Sequence, residues 1–168
     1  APFPPLALPL PLVSALLPGE PGEEEVLLSA PLYGPGANYN ASNAAVLLEA
    51  ARVLKELVES GTFPKPLRGI RLLLAPKLYG TLAFAKQRNE YAKRARYALY
   101  LDAGAGNPDS AWSRWQYRMT PVTRRHFADG LAWNVFKLYL QAWRPQRYLE
   151  IRPFALTGDT VFNDPQVG

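Results

Sequence analysis

The chain has 168 residues, of which 48% are apolar and 12% aromatic, and this length favours one domain around a single core. It has no cysteine, which excludes disulfides and thiolate metal sites, and no uncharged apolar run of about 18 residues, which argues against a membrane-spanning helix. The net charge is +5. A basic surface attracts nucleic acid and other anions, but no nucleic-acid-binding motif accompanies the charge, so a solvated charged surface is the simpler interpretation.

The N-terminal segment is rich in proline. Five prolines lie within the first eleven residues, where they exclude a helix and favour an extended conformation. We therefore expect residues 1–18 to form a proline-rich arm and residues 19–168 to form one domain. The sequence starts with Ala-Pro and not with methionine, as it would after removal of a signal peptide. On this basis we expect an extracellular or cell-surface location, with the cytoplasm as the alternative.

The next three segments alternate between strand and helix patterns. Val26–Leu32 is a short apolar run bounded by glutamates and by a Gly-Pro-Gly turn, which predicts a buried strand. Apolar residues then recur every three or four positions, which predicts a helix from Ala41 to Ser60 that stops at Gly61. A second apolar run, Ile70–Ala75, predicts another strand, and Pro76 closes it.

The alternation continues through the second half of the chain. We predict a helix over 79–93, a strand over 96–101, a loop rich in Trp and Arg over 110–119, an aromatic helix over 123–143 and a final strand over 148–156. Strands that alternate with helices imply βαβ crossovers. The predicted fold is therefore an α/β three-layer sandwich, in which helices flank a mostly parallel or mixed central sheet.

Four short strings resemble a known family. They are Pro-Gly-Ala-Asn-Tyr-Asn-Ala-Ser-Asn from Pro35, Ala-Pro-Lys-Leu-Tyr-Gly-Thr from Ala75, Tyr-Leu-Asp-Ala-Gly from Tyr100, and Gly-Asp-Thr-Val-Phe-Asn-Asp-Pro from Gly158. In order, these resemble P-G-A-N-D-N-A-S-G, P-E-x-Y-G-T, N-L-D-M-V-G and S-D-H-x-x-F-N-D-P of the zinc-dependent aminopeptidase-like hydrolases. The resemblance runs from about Val26 to the C-terminus and implies the α/β fold of that family. The family continues beyond both ends of this match, so a truncated relative is expected to need a partner to complete its sheet.

The resemblance also implies a zinc site, most of whose ligands are replaced in this sequence. The replaced positions are Pro31, or a neighbour, for the first histidine, Tyr39 for the bridging aspartate, Lys77 for the glutamate and Thr160 for the last histidine. Only Asp102 is kept. A fixed ammonium repels a dication, so we expect no zinc, no other cofactor and no catalytic residue.

The leading hypothesis is a pseudoenzyme: a non-catalytic, aminopeptidase-like protein with a structural or binding role. It would associate with itself or with a protein partner through residues 1–18 and through open sheet edges. The first alternative is a zinc metallopeptidase that holds its metal through Asp102, Asp159 and Asp164. The second is a nucleic-acid-binding module formed by the basic, aromatic region.

Two further features of the sequence indicate candidate sites. Loop aromatics interleaved with arginines predict a surface that stacks on sugars, bases or a protein, and its residues are Trp112, Arg114, Trp115, Tyr117 and Arg118. Asn40 begins an Asn-Ala-Ser glycosylation acceptor, although the N-cap of the first helix is its simpler role. The single histidine, His126, lies away from the four strings and is expected to be a packed or surface residue.

Overall fold

The computed structural model of the chain describes residues 11–22, 24–32, 34, 36–37, 40–102, 114–145, 147 and 149–155. Several positions singled out by the sequence lie outside this part of the chain, namely residues 1–10, Tyr39, Trp112, Asp159, Thr160 and Asp164.

The main sheet has four strands in the order β1-β3-β2-β4. Their bounds are Val13–Leu17 for β1, Glu25–Leu32 for β2, Gly69–Pro76 for β3 and Ala95–Tyr100 for β4. The strands β3, β2 and β4 are parallel, whereas β1 is antiparallel to β3. The predicted mixed, mostly parallel sheet is confirmed.

The edge strand β1 comes from the segment that the sequence assigns to an arm. Val13–Leu17 pairs along its whole length with residues 70–74 of β3. Residues 13–17 are therefore extended, as expected, but they are part of the sheet of their own chain. The strand is only five residues long and has prolines close to both ends, so its sequence pattern is too short to separate it from the proline-rich segment.

The helices cover both faces of the main sheet. Their bounds are Ala41–Glu59 for α1, Tyr79–Gln87 for α2, Asn89–Arg94 for α3 and Phe127–Trp143 for α4. The helix predicted over 79–93 is two helices, because the chain leaves the helical conformation at Arg88 (φ −124°, ψ 45°). Within the described ranges, no helix is long and apolar enough to cross a membrane.

The core lies on both sides of β3 and β2. On one side, Leu73 packs with Phe84 of α2; on the other, Leu74 packs with Leu47 of α1. Strands buried on both faces are apolar at successive positions, which explains why the β3 sequence reads as a continuous apolar run. The three layers predicted from the sequence are thus formed by α1, the sheet and α2.

A second sheet has two strands, of which one lies in the predicted loop and the other in the final strand predicted over 148–156. Trp115–Arg118 forms β5, which pairs in parallel with β6, Leu149–Arg152. The helix α4 joins them along the chain, and its Leu140 packs against Tyr117 and Leu149. The loop prediction for 110–119 is therefore wrong over the four residues of β5.

A buried ion pair joins β2 to β3. Arg71 donates from Nε and Nη2 to both carboxylate oxygens of Glu25, the latter bond being 2.9 Å long, and both side chains are almost inaccessible to solvent. The guanidinium carbon also lies 4.1 Å from the centre of the Tyr91 ring. Buried charges are tolerated where they are paired in this way, so removing one partner would leave a charge buried in the sheet with little compensation.

Candidate functional site

Three of the five positions that the family resemblance assigns to zinc ligands lie at one edge of the main sheet. Pro31 is the second-last residue of β2, Lys77 follows β3 directly, and Asp102 lies two residues after β4. The carboxyl ends of parallel strands meet at this edge, which is where open α/β sheets bind ligands. Parallel pairing therefore brings together residues that are far apart in the sequence.

Lys77 and Asp102 form an ion pair at this edge. The ammonium Nζ donates to Asp102 Oδ2 at 2.7 Å, and the two side chains are 34% and 25% exposed. Lys77 follows β3 and Asp102 follows β4. These two strands both flank β2, so the strands are about 10 Å apart. The Lys77 side chain must therefore reach across the end of β2 to a carboxylate that the resemblance assigns to the family's ligand set.

The other groups near this pair offer little to a metal ion. Pro31 is fully buried and its ring has no donor atom for a metal. Its neighbour Ser29 is also fully buried, and its hydroxyl makes no hydrogen bond within the described part of the chain. The second oxygen of Asp102, Oδ1, is buried and likewise accepts no hydrogen bond from described residues.

The backbone after β3 determines where Lys77 is placed. Leu78 has a φ of 64°, in the left-handed region that residues other than glycine rarely adopt, and α2 starts immediately after it. A Cβ atom on Gly80 would lie 2.4 Å from Cδ of Pro76 and 2.9 Å from Cβ of Ala75. The turn is so tight that only glycine fits at this position, which gives a physical reason for the Tyr-Gly-Thr part of the string.

No group of three or more His, Cys, Asp or Glu side chains in the described ranges is arranged to hold a metal ion. Asp159 and Asp164, which the alternative metallopeptidase hypothesis needs, lie outside those ranges, as do Tyr39 and Thr160.

The aromatic surface predicted around residues 112–118 is only partly exposed. Tyr117 is 8% exposed, and Trp115 is half-buried against α4, with its ring 5.9 Å from that of Tyr139. Because β5 is a strand, its side chains alternate, and the two aromatic residues face α4. The prediction that Tyr117 belongs to an exposed binding surface is wrong, whereas Arg114 and Arg118 are exposed as expected.

A polar cluster that no sequence pattern indicated lies where α4 meets β5. Asp129 accepts hydrogen bonds from Tyr117 Oη at 2.9 Å, from the Thr120 backbone N–H at 3.1 Å and from the Thr120 hydroxyl. Burial alone would raise the pKa of Asp129, but the hydrogen bonds from Thr120 and Tyr117 together hold that pKa below its ordinary value. Burial also raises the pKa of Tyr117. These bonds fix the first turn of α4, which is a structural role.

Two single residues are placed at helix ends. Asn40 is the N-cap residue of α1, as predicted, but its side chain makes no capping hydrogen bond; its Oδ1 is buried without a partner among described residues. His126 is the N-cap residue of α4: its Nδ1 accepts a hydrogen bond from the Ala128 backbone N–H at 3.3 Å. The His126 ring stacks on Tyr97 at 5.7 Å. His126 is therefore a half-buried, packed residue, which is one of the two placements expected from the sequence.

The fold and the four strings define the chain as a member of the aminopeptidase-like class of hydrolase folds. The sequence profile described as peptidase family M28 matches residues 13–152, so the chain belongs to that family. A crystal structure from Clostridium acetobutylicum, described as a "putative peptidase", superposes with a TM-score of 0.72 at 19% sequence identity. The match covers 93% of this chain and 33% of the other, so this chain spans about one third of that protein, and at this identity the likeness shows the fold alone. No curated protein matches the chain.

Proposed function

We propose that this chain is a non-catalytic, aminopeptidase-like domain whose role is structural or binding. The observation that carries the proposal is the 2.7 Å hydrogen bond from Lys77 Nζ to Asp102 Oδ2. It places a positive charge against the one ligand position that the family resemblance leaves intact.

The charge of Lys77 opposes metal binding. A zinc ion that used Asp102 would have to displace the ammonium and would then lie within a few ångströms of it. At about 4 Å and an effective dielectric constant of about 20, two unit charges interact by about 4 kcal/mol, so an ammonium opposes a dication by about 8 kcal/mol. Solvent at this half-buried edge reduces the value, but the sign is unchanged.

Lys77 also lacks the chemistry of the glutamate that it replaces. In a zinc peptidase a carboxylate takes a proton from the metal-bound water. An ammonium that is hydrogen-bonded to a carboxylate has no lone pair with which to accept that proton. The described residues at this edge therefore offer neither a favourable metal site nor a general base.

A zinc metallopeptidase with an atypical site is the second candidate. Membership of the M28 family favours it, and so does Asp102 Oδ1, which is buried and accepts no hydrogen bond within the described ranges. In this case Asp159 and Asp164 would supply further carboxylate ligands, and Lys77 would have to move away from Asp102.

Zinc content and peptidase activity, measured on the same purified chain, separate the two candidates. We expect far less than one equivalent of zinc by elemental analysis after dialysis against zinc, and no turnover of aminoacyl p-nitroanilides. The Lys77→Glu variant is the matched comparison, because it restores the family's carboxylate and should bind zinc more tightly than the unmodified chain. One equivalent of zinc together with chelator-sensitive turnover in the unmodified chain would establish the metallopeptidase.

We also propose that the chain binds itself or a protein partner and that it is extracellular. Self-association or protein binding through residues 1–18 and the sheet edges agrees with the position of β1 at one end of the strand order, where its outer edge has no neighbour among the described strands. Light scattering tests this directly, since a monomer at all concentrations would contradict self-association. An extracellular location, with or without a glycan on Asn40, rests on the sequence alone and is tested by the size and glycosidase sensitivity of the secreted protein.

A further inference from the structure

The outer face of α4 is an uncovered apolar stripe. Its members recur at spacings of four, four, three and four residues and all are exposed; they are Phe127, Leu131, Val135, Leu138 and Ala142. The first four are 75%, 58%, 57% and 66% exposed. At 100° per residue, the five side chains fall within an arc of about 80°, and they extend about 24 Å along the helix.

This stripe is not the face that α4 uses to fold. Phe136 and Leu140 lie on the opposite side and pack against Tyr117 and Leu149 of the second sheet. The helix contains only two charged residues, the buried Asp129 and the exposed Lys137. A helix that is apolar on two faces is expected to be covered on both, so the outer stripe calls for an occupant.

The net charge of the segment that contains α4 indicates what that occupant is. Residues 114–152 contain eight arginines and lysines but only two carboxylates, whereas the rest of the chain contains eleven basic and twelve acidic residues. One of the two carboxylates is Asp129, which lies buried against Tyr117. The whole net positive charge of the protein is therefore carried by the segment that contains α4, and this favours a negatively charged occupant.

A second copy of the chain is a poor occupant. Exposed arginines lie at both ends of the stripe, with Arg125 before its first residue and Arg144 after its last. Antiparallel packing of two α4 helices would place Arg125 of one copy beside Arg144 of the other, and parallel packing would place like residues together. Both arrangements bring cations together at the rim of an apolar contact.

The convex shape of the stripe favours an occupant that can cover it without having a groove to receive the helix. The stripe is the convex side of one helix. The apolar cavity of about 240 Å³ found in the described part of the chain lies elsewhere, bounded by residues of α1 and β1 such as Leu54, Val58 and Leu17. A single apolar helix face that begins with an aromatic residue and has an arginine beyond each end suits the boundary between lipid headgroups and acyl chains.

We propose that α4 docks on an anionic lipid surface, with its axis parallel to the membrane plane and the stripe inserted among the headgroups. Phe127, which is 75% exposed, would lie at the N-terminal end of the inserted stripe. Arg125 and Arg144, which flank the helix at its two ends, would contact anionic headgroups. This inference does not depend on whether the chain binds zinc, and it involves no membrane-spanning segment.

The test is cosedimentation of the full chain with vesicles of phosphatidylcholine alone and of phosphatidylcholine with 30% phosphatidylserine. We expect binding to the anionic vesicles that is at least tenfold tighter and that weakens as salt is raised. Leu131→Asp combined with Leu138→Asp should reduce binding at least tenfold. The matched control is Leu48→Asp, because Leu48 is an exposed apolar residue of α1, 55% accessible, outside the stripe.

A second pair of variants tests the electrostatic part. Arg125→Gln combined with Arg144→Gln should lower the preference for anionic vesicles, whereas Lys65→Gln combined with Lys86→Gln removes the same charge elsewhere and should not. Circular dichroism confirms that each variant is folded. Absence of binding to anionic vesicles overturns the proposal, as does an equal loss in the Leu48→Asp control. A dimer that disappears in the Leu131→Asp, Leu138→Asp variant without any vesicle binding would assign the stripe to a second copy instead.

Discussion

The ammonium of Lys77 lies 2.7 Å from a carboxylate oxygen of Asp102, although the two residues follow strands on opposite sides of β2. The pair therefore links β3 to β4 across the carboxyl end of the sheet. In the peptidase family to which the chain belongs, the resemblance assigns a glutamate and an aspartate to these positions. Relative to those two residues, Lys77 and Asp102 replace two like charges by an oppositely charged pair.

Removing one member of this pair should cost stability, and removing both should cost less than the sum. Lys77→Met leaves the half-buried Asp102 carboxylate unpaired, and we expect a loss of about 1 kcal/mol in the free energy of unfolding. Asp102→Asn should have a similar effect. In a double-mutant cycle measured by urea unfolding, the coupling energy should be about 1 kcal/mol. A coupling energy of zero would mean that the bond contributes nothing in solution.

The buried pair of Arg71 and Glu25 should have a larger effect. Arg71→Met leaves the buried Glu25 carboxylate with only the more exposed Arg94 guanidinium, 4.0 Å away. Breaking a buried pair by removing one partner typically costs about 3–5 kcal/mol. Arg52→Met is the control, because Arg52 also pairs with two glutamates but on the exposed face of α1, and its loss should cost less than about 1 kcal/mol. Urea unfolding of the two variants measures the difference. Equal losses of unfolding free energy in the two variants would show that the buried Arg71 pair contributes no more than the exposed Arg52 pair.

Asp129 makes a specific contribution to the dependence of stability on pH. Its pKa in the folded state is lowered below the ordinary value of 3.8, so the folded protein favours the ionised form. The stabilisation is therefore fully present above about pH 4 and is lost as the pH falls through the folded-state pKa. Between pH 6 and pH 3 the urea midpoint should fall less in Asp129→Asn than in the unmodified chain. Identical pH profiles would contradict this assignment.

Three strands of the main sheet, β2, β3 and β4, were predictable because their sequence patterns have a direct physical cause, whereas β1 was assigned to the arm. The strand β3 is buried on both faces, and a run such as Leu72 to Leu74 is what two buried faces require. The strand β5 was not predictable, since four residues that include a glutamine and an arginine give a weak strand pattern. Tyr117 looked like an exposed loop aromatic for the same reason.

The sequence predicted which residues form the candidate site, but it did not predict the hydrogen bond between Lys77 and Asp102. The four strings placed Lys77 and Asp102 at ligand positions of the family. Their hydrogen bond, however, depends on the order of β3, β2 and β4 and on the turn at Leu78, neither of which a local pattern contains. The uncovered face of α4 was also missed, because apolar residues at helical spacing are expected in the core, and only the packed structure shows that Leu131 and Leu138 are exposed.

Two glycines in helices should respond oppositely to the same substitution. A Cβ on Gly80 would meet Pro76 and Ala75 at less than 3 Å, so Gly80→Ala should force the start of α2 away from β3 and cost about 1–3 kcal/mol. Gly130 lies in the first turns of α4 with nothing within 4 Å of its position for a Cβ, so Gly130→Ala should stabilise the protein by about 0.4–1 kcal/mol. Thermal and urea unfolding measure both changes. Because Lys77 immediately precedes this turn, Gly80→Ala should also weaken the coupling between Lys77 and Asp102, whereas Gly130→Ala should leave that coupling unchanged. A tolerated Gly80→Ala with full coupling would show that the turn does not position the lysine.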